Sequence, residues 1–283
     1  MIGISKLYCG TVEPSDALRY GRMSGKLPSH LLQFSKDKRP VVVWNITRRC
    51  NLKCVHCYAH AKDLPFENEL NTAEGKALLD DRADFGGPVV RLSGGEPLRR
   101  EDLPEFAAYA VEKKIRAVIS TNGTLIPPDT AKTLKSIGLS YVGISLDGME
   151  AVNDRFRAVK GAFRMAMKGI ENCQAAGIKV GLRFTINRFN QNEIPKIFDL
   201  IEERDIPRAC FYHLVYAGRG SNLIKEDLGL EESRRVVDLI MDRTRVLCEA
   251  GKPKEILTVD NHADGPYVYM RLLKDCLLYT SDA

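Results

Sequence analysis

The sequence predicts an α/β protein, a partial (β/α)6 barrel of parallel strands. Three observations lead there. Short apolar runs alternate with helix-period segments from residue 41 to about 215, the pattern of a parallel sheet with right-handed crossovers. The count is about six such units, short of the eight that close a barrel. Polar motifs recur just after the strands, at the sheet end where ligands bind in such folds.

The elements follow in order. Residues 1–40 form an N-terminal leader with no strong periodicity, broken by Gly10, Pro14, Gly21, Gly25 and Pro28. It carries Cys9 and His30, both read as structural. The apolar, β-branched run 41–47 is the first strand. A helix over 72–85, capped by Thr72 or Asn71, is stopped by Gly86-Gly87. Strand 88–92 follows, then helix 102–114, with Leu103, Phe106, Ala107, Ala110 and Val111 on one face. Next come strand 115–120, helix 127–137 ended by Gly138, and strand 140–146. Residues 152–176 hold one helix or two, broken near Gly161. Strand 178–187, helix 192–204 and strand 208–215 complete the pattern, so the partial barrel spans 41–225. Residues 226–275 begin a C-terminal extension: helix 230–250, a short strand over 254–259 and helix 265–273.

The tail 276–283 resembles the translation of a sequencing-library adapter. The expectation is therefore that it is read-through, that Cys276 is not native, and that the natural extension is truncated here.

Composition narrows the class. Of 283 residues, 44% are hydrophobic and 28% charged, the balance of a soluble globular protein. No apolar run approaches a membrane span, and residues 1–6 lack signal-peptide features. A cytoplasmic location is the expectation. The net charge of +5 is modest, and the basic residues are scattered, so neither a nucleic-acid nor a membrane partner is expected. Eight cysteines, three of them clustered, do not look like a disulfide framework.

The cluster is Cys50, Cys54 and Cys57, in the loop after the first strand. Three thiolates at that spacing suit a [4Fe–4S] cluster, which normally takes four cysteines. One iron would stay open to bind a reacting molecule. The rival reading is a non-catalytic zinc module with His60 as fourth ligand. Spacing alone leaves both open. The neighbouring strand ends carry Gly94-Gly95-Glu96-Pro97, Ser120-Thr121-Asn122-Gly123, Ser145-Leu146-Asp147-Gly148 and Thr185-Ile186-Asn187. A structural zinc loop has no need of them.

Taken together, the cysteine triplet, the Gly-Gly-Glu-Pro motif, Ser145 and Arg157 resemble the radical S-adenosylmethionine (SAM) superfamily over residues 41–215. The resemblance departs at His56, where an aromatic usually precedes the third cysteine. It implies that Cys50, Cys54 and Cys57 hold three irons and that the fourth chelates SAM. Gly94, Gly95, Glu96 and Pro97 would engage the methionine ammonium, Arg157 its carboxylate, and Ser145 a polar group of SAM. Asn122, Asp147, Arg183 and Asn187 are further candidates for the SAM site. The implied chemistry is reductive cleavage of SAM to methionine and a 5′-deoxyadenosyl radical, which takes a hydrogen atom from the substrate; an external electron donor is then required.

Residues 44–63, the leader segments 7–12 and 27–32, and residues 211–220 resemble the haem-modifying branch of that superfamily. Within it they are most like the subgroup that removes two acetate side chains from 12,18-didecarboxysiroheme to give Fe-coproporphyrin III. A siroheme-derived, modified haem is thus the implied substrate. The alternatives are side-chain removal in d-type haem synthesis and peptide modification. Arg48, Arg49, Arg219 and Lys225 suit substrate carboxylates; His213 sits beside Tyr212 at a strand end, where the two readings are a group facing the substrate or its iron and a hydrogen-bonded barrel histidine. Cys173 and Cys210 read as core residues, and Cys248 lies on a helix. Relatives carry an auxiliary Fe–S cluster in the C-terminal extension, and its ligands are expected only in the part missing here.

Overall fold

The computed structural model describes residues 1–11 and 39–281, with side chains as far as Asp275. Most of the leader, including His30, and the side chains of the tail lie outside these described residues. The strands are β1 (Ile2–Gly3), β2 (Val42–Thr47), β3 (Val89–Gly94), β4 (Arg116–Thr121), β5 (Tyr141–Ser145), β6 (Lys179–Thr185), β7 (Arg208–Tyr212) and β8 (Glu255–Val259). The helices are α1 (Ile4–Cys9), α2 (Thr72–Asp84), α3 (Leu103–Glu112), α4 (Pro128–Ser136), α5 (Glu150–Arg157), α6 (Ala162–Ala175), α7 (Ile194–Glu203), α8 (Leu230–Glu249) and α9 (Asp264–Ser281). The chain divides into two compact units, residues 37–183 with 215–225, and residues 1–36 with 184–214 and 226–283.

The first unit carries the cysteine loop. From β3 to β6 each strand pairs in parallel with the one before it. Val90, Leu92, Ile119, Val142, Ile144, Val180 and Leu182 alternate along these strands and are at most 1% exposed. They form the face on which α3 packs against β4 and α6 against β5. Among the described residues β2 has a neighbour on one side only, so the barrel does not close there, as the count of βα units predicts.

Local sequence explains the helices. The Asn71 side chain caps α2 and Glu74 returns the bond, a reciprocal capping box. The ring of Phe106, fully buried on α3, packs 4.9 Å from Trp44 of β2, a burial that stabilises by about 2–3 kcal/mol. Gly75 is required beneath them, because a Cβ there would stand 2.7 Å from the Trp44 ring. The segment 152–176 is two helices. Ala158 and Gly161 both take left-handed backbone (φ 53° and 83°), and Asp154 accepts the Gly161 and Phe163 N–H groups at 2.5 and 2.8 Å, holding the break.

In the second unit β7 pairs in parallel with β8, and β1 lies antiparallel along β8. Ser5, fully buried at the start of α1, exchanges hydrogen bonds with the backbone of Ile256. The sequence reading found no element in this stretch: two strand residues and six helical ones are too few to show a period. Two predicted strands end early. After Thr185, its carbonyl accepts the side-chain amides of Asn187 and Asn190 at 3.1 and 2.8 Å, which diverts the backbone into a turn. β7 stops at Tyr212, and a 3-10 helix follows over Gly218–Glu226. No helix among the described residues is long and apolar enough to cross a membrane.

Candidate active site

The three cysteines follow β2 in a loop pinned by its own backbone. Cys50 N–H bonds to the Lys62 carbonyl at 3.0 Å, and Val55 N–H to the Phe156 carbonyl at 3.0 Å. Cys50 and Cys54 are 6% and 8% exposed, and Cys57 is half-buried. Each sulfur accepts its own N–H donor: Leu52 N–H to Cys50 at 3.4 Å, Arg157 Nη1 to Cys54 at 3.6 Å, Ala61 N–H to Cys57 at 3.4 Å. Asn122 Nδ2 adds a longer contact to Cys50 at 3.9 Å. Burial pushes the Cys50 thiol up to about 12 and raises Cys54, while a bound metal deprotonates a thiol outright. Three thiols, two of them buried and each with a separate donor to support its anion, fit the cysteine side of an Fe–S cluster, where each iron takes one thiolate.

The zinc alternative does not fit. Among the described residues no three His, Cys, Asp or Glu donors group as a single ion requires. His60 is exposed, on left-handed backbone at φ 51°.

The Gly-Gly-Glu-Pro motif works mainly on the cysteine loop. Gly94 sits at φ 143°, and a Cβ on it would collide with the Thr47 carbonyl; one on Gly95 would stand 2.7 Å from the Arg48 oxygen. That close approach lets Gly95 N–H reach Thr47 O at 2.7 Å and Glu96 N–H reach Arg49 O at 2.8 Å. The Glu96 side chain is fully buried. It accepts Thr121 Oγ1 at 2.7 Å, Asn122 N–H at 2.8 Å and Leu98 N–H at 3.1 Å. Burial pushes its carboxyl up to about 7. Glu96, expected beside the methionine ammonium, ties the β3 loop to the β4 loop through these three bonds. Pro97 is buried and opens a 3-10 turn. Asn122 donates to Asn51 Oδ1 at 2.9 Å, linking the same loop to the cysteines.

Asp147 and Arg157 form a buried ion pair, Oδ2 to Nη2 at 2.5 Å, and His56 Nε2 lies 3.5 Å from the same oxygen. Burial pushes the His56 imidazole down to about 4, and its ring packs 4.7 Å from Phe156. Arg157 therefore joins a carboxylate to the Cys54 sulfur, an arrangement the sequence reading, which placed it on the SAM carboxylate, did not contain. Ser145 and Arg183 stand in register on β5 and β6, and Arg183 Nη1 donates to Ser120 Oγ.

Arg219 is the largest departure. Expected on the substrate, it fastens the cysteine loop: Nε to Cys54 O at 2.7 Å, Nη1 to Ala61 O at 2.8 Å, and its N–H to Cys57 O at 2.9 Å. Gly218 and Gly220 leave no room for a Cβ against the carbonyls of Cys57 and Val215. A charged residue between two glycines just after the last barrel strand was the signal available in the sequence. Arg49 pairs with Asp63 at 3.0 Å, and Arg48 lies over the Phe66 ring. Lys225 is exposed at the end of the Gly218–Glu226 helix.

In the second unit His213 is paired with buried Asp264, Nε2 to Oδ2 at 2.9 Å. Tyr212 packs against the cluster of Cys210, Leu257 and Val259. Asn187 is fully buried in its turn.

The Radical SAM superfamily model matches residues 44–201, more than half of the chain. The chain belongs to the radical SAM superfamily. It is 73% identical over 275 residues to the Fe-coproporphyrin III synthase of Methanosarcina barkeri, covering 97% of this chain and 69% of that protein. It is 44% identical over 235 residues to the pre-heme d1 synthase of Dinoroseobacter shibae, covering 81% of this chain and 57% of that one. The chain thus spans about two-thirds or less of these curated relatives. A crystal structure of Streptococcus suis SuiB bound to S-adenosylmethionine shares the fold, with a TM-score of 0.67 at 22% identity over 78% of this chain and 50% of that one. The superfamily's characteristic group is a [4Fe–4S] cluster with SAM. The residues that fit the cluster here are Cys50, Cys54 and Cys57, and radical SAM membership sets aside the non-catalytic zinc reading.

Proposed function

We propose that this enzyme acts in haem biosynthesis, removing two acetate side chains from 12,18-didecarboxysiroheme to give Fe-coproporphyrin III. The observation that carries the reading is the 73% identity to an Fe-coproporphyrin III synthase across 97% of the chain. The site supports it. Cys50, Cys54 and Cys57 would hold the cluster, and the loops after β3, β4 and β5 would take SAM. When bound, the cluster and SAM supply one-electron cleavage of a sulfonium C–S bond and, through it, hydrogen-atom abstraction. The protein holds the thiols at fixed positions through Arg219, Glu96 and the Asp147–Arg157 pair, and excludes water from Cys50 and Cys54 by burying them. An external one-electron donor and a cytoplasmic setting complete the reading.

The 44% identity to a pre-heme d1 synthase favours a second reading, side-chain removal in d-type haem synthesis. Anaerobically reconstituted protein, incubated with SAM, reductant and didecarboxysiroheme, is expected to give a product lighter by two acetate side chains, with 5′-deoxyadenosine. Substrate recovered unchanged while 5′-deoxyadenosine accumulates would reject the proposed substrate and leave the SAM chemistry standing.

A further inference from the structure

The sheet of the first unit has a second face, opposite the one its helices cover. Side chains alternate across a sheet, so the positions between the buried apolar ones point there. Ser120, Gly143 and Gly181 are neighbours in register across β4, β5 and β6 on this face. The row is small-residue for a reason visible in the packing. A Cβ on Gly143 would stand 2.7 Å from Arg183 Nε, and one on Gly181 would collide with the Tyr141 hydroxyl. Both long side chains therefore lie across the neighbouring strand rather than standing off the sheet. Arg183 is held in that posture by Ser120 Oγ, which accepts Nη1. Its Nε is buried and has no hydrogen-bond partner among the described residues. Arg183 is in register with Ser145, the last residue of β5, so this floor runs up to the loops that surround the cysteines.

A flat floor with a fixed guanidinium lying on it suits one chemical class: a planar ring bearing carboxylates. Arg183 and Tyr141 are the surface presented over buried Gly143 and Gly181, and a guanidinium presents a fork that matches a carboxylate. We propose that the Arg183 and Tyr141 side chains, laid over the Ser120–Gly143–Gly181 row, form the floor for the tetrapyrrole substrate and that Arg183 anchors one of its carboxylates. The inference rests on the haem-precursor reading and assigns Arg183 to substrate specificity rather than to SAM.

The test is binding, read by the Soret band. Fe-coproporphyrin III and its tetra-amide, which lacks carboxylates, are titrated into reconstituted full-chain protein, wild type and Arg183→Met. The wild type should prefer the acid over the amide. Arg183→Met should weaken the acid about tenfold, a magnitude expected for one lost charge-assisted fork, and leave the amide unaltered. Arg183→Lys should recover part of the preference. Because the acid-to-amide ratio is taken within each variant, a partly unfolded sample lowers both affinities and leaves the ratio interpretable. An unaltered ratio in Arg183→Met, or weakened SAM binding with unaltered porphyrin binding, would overturn the inference alone. Wild-type protein that bound neither compound would overturn the haem-precursor reading, and the inference with it.

Discussion

Replacing Asp147 by Asn tests the electrostatic core of the site. Asp147 is fully buried and the Arg157 side chain is 8% exposed, with 2.5 Å between Oδ2 and Nη2. The substitution keeps the shape and removes the charge. Arg157 then retains its contact to the Cys54 sulfur but no carboxylate, and the guanidinium is left uncompensated in a low-dielectric site. Breaking one partner of such a pair costs about 3–5 kcal/mol. For domains of about 150–250 residues each kcal/mol moves Tm by roughly 2–4 °C, so the melting temperature should fall by roughly 10 °C. Thermal unfolding of the wild type and Asp147→Asn, followed by circular dichroism at constant pH, measures it. The double variant Asp147→Leu with Arg157→Met should be more stable than Asp147→Asn, because no buried charge remains without a partner. A single variant that melts within about 2 °C of wild type, less than one kcal/mol would produce, refutes the reasoning. So does a double variant less stable than the single.

Three further predictions concern the same loops. Burial raises the Glu96 carboxyl from 4.5 to about 7, so the folded state holds that proton more tightly than the unfolded chain. Its contribution to stability is fully present below pH 4.5 and lost as pH rises through about 7. Denaturant melts from pH 4 to 8 should show Glu96→Gln with a flatter profile than wild type. Gly94→Ala forces a Cβ into the Thr47 carbonyl and should abolish cluster loading, measured as iron per chain. Gly161→Ala has an equally left-handed backbone but open space around it, and should cost only about 1 kcal/mol with loading retained. Arg219→Met removes two side-chain donors from the Cys54 and Ala61 carbonyls; at about 1.5–3 kcal/mol for each charged hydrogen bond, the apo loop should become markedly more open to amide hydrogen exchange.

The sheet of the first unit was legible because its strands are buried on one face by continuous β-branched runs between glycine and asparagine turns. The cysteine loop and the polar strand ends were legible because their residue types have few other uses together. What could not be read was which partner each polar residue would choose. Arg157, Arg219 and Glu96 were placed on ligands, yet each has a neighbour in the protein at hydrogen-bond distance. Sequence gives the charge of such a residue and not the carbonyl or carboxylate that folding brings beside it. The pairing of β1 with β8 joins residues about 255 apart in sequence, and nothing local to Ile2–Gly3 announces it.

The central claim is that Cys50, Cys54 and Cys57 hold a [4Fe–4S] cluster with an iron left for SAM. Electron paramagnetic resonance of the anaerobically reconstituted, dithionite-reduced protein, with and without SAM, tests it most directly. The account predicts iron and sulfide in equal amounts, a reduced-cluster signal that shifts when SAM is added, and loss of both in Cys54→Ala. Zinc without sulfide, or a cluster signal that SAM leaves unchanged, would contradict it.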